Sequence, residues 1–106
     1  MDLVEDTTQA GGVLGDESDA LRTIAERLIW WQPPADSLRQ PRRFLAQVMV
    51  LGNWDDVQVA RRTFGDAAFR EVLHDAPPGV FDLRSWTYWH HVFGLLPVPP
   101  LPRRRL

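Results

Sequence analysis

Apolar residues along the chain recur at spacings of three and four, and they do not alternate over the length of a strand at any point. Leu21, Ile24, Leu28 and Trp31 mark one face and Arg22, Glu26 and Arg27 the other, which predicts a helix over about 17–31. Asp16 or Ser18 is placed to cap it. Pro33-Pro34 closes it, because proline disfavours the helical conformation at the residue before it. Pro41 suits a first turn, and Phe44, Leu45, Val48, Met49 and Leu51 form a stripe that runs into Gly52, so a second helix is expected over 41–51. Gly52-Asn53 reads as a stop joined to a start, with the glycine in the left-handed conformation and the asparagine capping the next amides. Phe64-Gly65-Asp66 repeats that device, giving a third helix over 54–64 and a fourth over 67–75. After the turn Ala76-Pro77-Pro78-Gly79-Val80, Asp82 or Ser85 caps a fifth helix through Trp86, Trp89 and Phe93, ended by Gly94. The fold class expected is all-α, a small bundle of about five short helices with an extended proline-rich C-terminal tail. Phe81, Trp86 and Trp89 are expected to form a core cluster shared with the first two helices, since no other stretch offers comparable apolar area.

The helical domain is expected over 16–94, between two segments of different character. Residues 1–15 are acidic and poor in apolar side chains, the composition of a segment that stays disordered in isolation. Residues 95–106 carry four prolines in twelve positions and should be extended. Two readings of this tail stand side by side. Leu95, Leu96, Val98 and Leu101 suit packing along the chain's own bundle. Pro99-Pro100-Leu101-Pro102-Arg103-Arg104 equally fits the proline-x-x-proline-x-basic form that aromatic grooves take as a polyproline helix.

Composition narrows the classes. A chain of 106 residues with 44% apolar side chains builds one small domain, and five Trp with five Phe supply much of its core. The richest apolar run, 44–51, is eight residues long and contains Gln47, well short of the roughly 18 that cross a bilayer. The acidic amino terminus lacks the basic-then-apolar order of a signal peptide, so a cytoplasmic location is expected and no membrane partner. Cysteine is absent, which excludes disulfides, thiolate metal sites and a cysteine nucleophile. All twelve basic residues are arginine. Six of the fourteen acids lie in the first twenty residues, so an acidic head precedes a body of formal charge +4.

Candidate chemistry is sparse. His90 and His91 are neighbours that a helix aims about 100° apart, so they cannot chelate as a local pair, and His74 joins neither at a metal-ligand spacing. Asp55-Asp56 are the acids a helix dipole selects for a first turn. Ser85 stands where a cap is wanted and lacks the glycines of a nucleophile elbow. A helix-turn-helix formed by the second and third helices would present Asp55 and Asp56 to phosphate at the end that enters the groove, which argues against it. Arg42-Arg43, Arg61-Arg62 and Arg103-Arg104-Arg105 offer basic surface for RNA or an acidic protein, or are simply solvated. No catalytic, cofactor-binding or metal-ligating residue is assigned, and a protein without enzymatic activity is expected.

Three phrases carry a resemblance. They are Ile29-Trp30-Trp31-Gln32-Pro33, the stretch from Gln47 to Val57 through Gly52-Asn53-Trp54-Asp55-Asp56, and Ala76-Pro77-Pro78-Gly79-Val80-Phe81-Asp82 continued by Trp86-Thr87-Tyr88-Trp89-His90 and the prolines of the tail. Through them residues 28–105 resemble a family of small bacterial proteins encoded beside AbiEii-type nucleotidyltransferase toxins, in the position of an antitoxin. The resemblance implies a protein that binds and neutralises a cognate nucleotidyltransferase-like toxin by protein–protein contact. The alternative is a nucleic-acid-binding transcriptional autoregulator. Tryptophan and arginine are the anchors interfaces favour, so the partner-binding residues expected are Trp30, Trp31 and Trp54 with Pro99, Pro100, Leu101, Pro102, Arg103 and Arg104 of the tail.

Overall fold

A computed structural model describes residues 18–102, and these form six helices and no strand. They are α1 (18–28), α2 (Pro34–Leu38), α3 (Pro41–Leu51), α4 (Trp54–Phe64), α5 (Asp66–His74) and α6 (Leu83–Val92). The all-α expectation is met. The expectations for residues 1–15 and for Arg103, Arg104 and Arg105 fall outside the described residues.

The spacing of apolar residues in α3 makes it the hub. Phe44, Leu45, Val48 and Met49 are buried together with Ala46, and the helix packs against α2, α4, α5 and α6. The α1 stripe of Leu21, Ile24, Ala25 and Leu28 joins the same core, as do Phe69, Val72 and Leu73 of α5. Trp86 and Trp89 of α6 are buried, and Phe81 packs edge-on to Trp86 with ring centroids 5.4 Å apart. Trp89 packs on Phe69 of α5, at 5.6 Å, and its indole Nε1 donates to the Met49 carbonyl of α3 at 2.8 Å. The aromatic cluster thus reaches α3 and α5. Phe93 continues it half-buried, stacked on Trp89 at 5.8 Å.

Helix boundaries follow local chemistry, with four departures from expectation. The first helix stops at Leu28, not near Trp31. The Ile29 amide still bonds to the Ala25 carbonyl, and Trp30, Trp31 and Gln32 then form a turn toward Pro33. A short helix, α2, occupies a segment for which no helix was expected. Pro34 stands at its first position, where a missing N–H costs nothing, and the Pro33 carbonyl accepts from the amides of Asp36 and Ser37. Gln32 Nε2 donates to the buried Ser37 Oγ at 2.9 Å, and Arg39 pairs with Asp36, which fixes this turn from both ends. Gly52 is extended, with φ −71° and ψ 151°, not left-handed. Its role is steric: a Cβ there would stand 2.6 Å from the Val48 carbonyl oxygen, inside contact distance. Asp66 does not cap α5. It is the first residue of that helix, Gly65 at φ 85° makes the corner, and the Asp66 carboxylate takes a bidentate pair from Arg61 at 2.7 and 2.8 Å.

Two caps are as expected. Asn53 Oδ1 accepts from the Asp56 amide at 2.8 Å while Asp56 Oδ2 accepts from the Asn53 amide at 2.9 Å, a reciprocal capping box. Asp82 Oδ1 accepts from the Ser85 amide at 2.8 Å and from Ser85 Oγ at 2.6 Å. Those two bonds, the hydroxyl first, hold the Asp82 carboxyl below its ordinary value, and the Arg61 guanidinium does the same for Asp66. A carboxyl lowered in the folded state contributes stability above its unfolded pKa and loses that contribution as pH falls through the folded value. The melting temperature is therefore expected to fall as pH drops below about 4, by a modest amount because both groups face solvent. Asp82→Ala should cost about 1 kcal/mol at neutral pH and flatten this acid limb. Thermal melts of both proteins at neutral pH and in acid check both outcomes.

The tail turns back over the bundle. Gly94, at φ 66°, donates to the His91 carbonyl and Leu95 to that of His90, the paired bonds of a Schellman stop. That reversal aims Leu95 inward. Val98 and Leu101 follow it half-buried against the core, and Trp86 Nε1 donates to the Pro99 carbonyl at 2.8 Å. Leu96, one of the four residues expected to pack, is exposed. For residues 95–102 the self-packing reading describes the observed arrangement.

Candidate interaction surface

Three of the five tryptophans are left outside the core. Trp30 is 77% exposed, Trp54 71% and Trp31 57%, whereas the two on α6 are buried. The cause is local. Trp30 and Trp31 follow the end of α1 and meet each other edge to face, with centroids 5.8 Å apart. Trp54 is the first residue of α4, before the helix has turned its apolar face inward at Val57 and Ala60.

These sites flank one ion pair. Asp56, 4% exposed, accepts from Arg27 of α1 at 2.5 Å while it completes the α4 capping box. Arg27 lies three residues before Trp30 and Asp56 two residues after Trp54, so a single carboxylate fixes the chain segments that carry both aromatic sites. In the sequence Asp56 is marked only as an acid suited to a helix dipole. Its link to Arg27 spans 29 residues and left no local signal.

Trp54 also opens a groove. Trp54, Val57 and Arg61 of α4 face Arg84, Tyr88 and Val92 of α6 across a space of about 510 Å³, also lined by the last turn of α3. Tyr88 and Val92 are exposed along it. The lining charges differ in their commitments. Arg61 is held by Asp66 and lies over the Phe93 ring, and the Asp82 carboxylate is occupied by the α6 cap. The Arg84 guanidinium acts through space on the Asp82 carboxylate and helps to hold its carboxyl low. The α6 side of the groove was not foreseen, because Tyr88 and Val92 share a helix with buried Trp86 and Trp89 and read as part of the same apolar run.

The tail residues expected to meet a partner divide. Pro99 and Pro100 are exposed, while Leu101 and Pro102 are half-buried. The tail shares a cleft with Leu73 and His74 of α5 and with His90. His90 is buried, donates through Nδ1 to the Trp86 carbonyl at 2.7 Å and packs on the Trp86 ring, while His91 and His74 are exposed. Among the described residues no group of three His, Asp or Glu side chains converges as a metal site, and no helix is long and apolar enough to cross a membrane. A comparison of the chain with known protein families, curated proteins and solved structures finds no match.

Proposed function

We propose that the protein is a non-enzymatic, cytoplasmic antitoxin-like module that binds a cognate nucleotidyltransferase toxin through protein–protein contact. The partner's identity rests on the resemblance in the sequence. The observation that supports a binding role is the exposure of Trp30, Trp31 and Trp54 on one small domain. Leaving three such rings in water forgoes burial of large apolar area, and exposed aromatic side chains are what interfaces use as anchors.

The arginines support protein contact over the autoregulator alternative. Arg27, Arg39, Arg42 and Arg61 are each paired with an aspartate, so acids interrupt the basic surface that a nucleic-acid backbone would follow. Co-expression with the product of the neighbouring gene, followed by gel filtration, tests the reading. Co-elution and rescue of growth are expected, with binding weakened at least about tenfold by Trp30→Ala combined with Trp31→Ala. Separate elution at micromolar concentration without rescue refutes it. Salt-steep, sequence-selective retardation of the upstream DNA in its place favours the autoregulator.

A further inference from the structure

We propose that the face of the bundle that seats residues 95–102 is a receptor for an extended proline-rich peptide, and that a second copy of this chain supplies that peptide by exchanging tails. The chain's own tail shows what the site takes. Pro97, Pro99, Pro100 and Pro102 carry no N–H, so this stretch offers carbonyl acceptors and few donors. The receiving side matches it. An indole is a donor without an acceptor, and Trp86 Nε1 donates to the Pro99 carbonyl at 2.8 Å. Val98 and Leu101 keep their N–H groups and pack against the core, while Pro99 and Pro100 between them are exposed. They stand three positions apart, one turn of a polyproline helix, so a single edge of the segment meets the bundle.

Exchange follows from how the tail is joined. Gly94 reverses the chain at φ 66°, and a Cβ there would meet no atom within 4 Å, so the joint stands in open space. The contacts from Val98 to Leu101 are the same whichever copy donates the tail. Only the reversal, with the Gly94 and Leu95 amides bonded to the His91 and His90 carbonyls, belongs to the closed form alone. A tethered tail competes at an effective concentration of the order of 1 mM, so a tail in trans gains ground as the chain approaches that concentration. Exchange requires no toxin, and its outcome is separate from that of the binding role above.

The test acts on that reversal in the full chain. Gly94→Val puts a β-branched residue at a positive φ that it disfavours, which burdens the closed form and leaves the receptor intact. Analytical ultracentrifugation should find dimer at a concentration at least about tenfold lower for Gly94→Val than for the unaltered protein. Val98→Asp with Leu101→Asp, added to Gly94→Val, should restore the monomer, because a tail with two buried charges seats in neither copy. A second measurement needs no variant. A synthetic peptide of residues 95–102, at about 5 mM with the isotope-labelled unaltered chain, should displace the resident tail. The Val98 and Leu101 amide resonances then move toward those of an unstructured peptide, while the Trp86 indole resonance stays. The proposal is overturned by an unchanged dimerisation midpoint in folded Gly94→Val, or by tail resonances that the peptide does not move. A dimer that survives the two aspartates assigns association to another surface and overturns it as well.

Discussion

Trp86→Ala is expected to lower the unfolding free energy by about 3–5 kcal/mol. The ring is 2% exposed, packs against Phe81 and His90 at centroid distances of 5.4 and 4.3 Å, and lies in the shared hydrophobic cluster. Its removal leaves a cavity that close-packed neighbours cannot fill, and it deletes the indole donor to the Pro99 carbonyl. In a domain this small, each 1 kcal/mol moves the melting temperature by roughly 4–8 °C, so a fall of more than about 10 °C should appear in a circular-dichroism melt. A cooperative transition at the unaltered temperature sinks the core assignment. Trp89→Ala should behave alike, since it loses Phe69 contact and strands the Met49 carbonyl.

Truncation after Gly94 is expected to cost about 3–5 kcal/mol. Leu95, Val98 and Leu101 are half-buried, and each contributes about half of the 1.5–3 kcal/mol that full burial of such a side chain supplies. Loss of the Trp86 to Pro99 hydrogen bond adds about 1 kcal/mol. Denaturant unfolding of the shortened chain measures the loss. A shortened protein as stable as the whole chain returns the tail to the docking role that its sequence equally allowed. Reduced stability with undiminished toxin binding identifies the tail as a structural strap alone.

The parts of the fold that the sequence made legible are those where punctuation and periodicity coincide. Pro41 opens α3, Gly52 and Asn53 separate it from α4, and both helices run over the residues expected. The α6 stop at Gly94 was legible for the same reason. Where a residue type serves two purposes, the reading failed. Glycine permits either a positive φ or a close approach, and at Gly52 the second use operates while at Gly65 the first does. Proline both ends and begins helices, so Pro33-Pro34 suggests a stop while α2, five residues with too few turns to display a period, starts there. Asp66 looks like a cap because it follows a glycine, whereas its carboxylate is drawn to Arg61 five residues back. Trp30, Trp31 and Trp54 are exposed. The groove itself joins positions some thirty residues apart in the chain, a juxtaposition that only the folded bundle creates.

The division of the five tryptophans into two buried and three exposed has an optical consequence. Trp86 and Trp89 emit from a dry interior with their indole nitrogens bonded to carbonyls, while Trp30, Trp31 and Trp54 emit from water. Unfolding is expected to shift the first pair to the red, and burial of the second set against the proposed partner is expected to shift it to the blue. Iodide, which quenches only rings it can collide with, separates the two populations. The chain therefore reports its own folding and its own occupancy as opposite colour changes, with no added label.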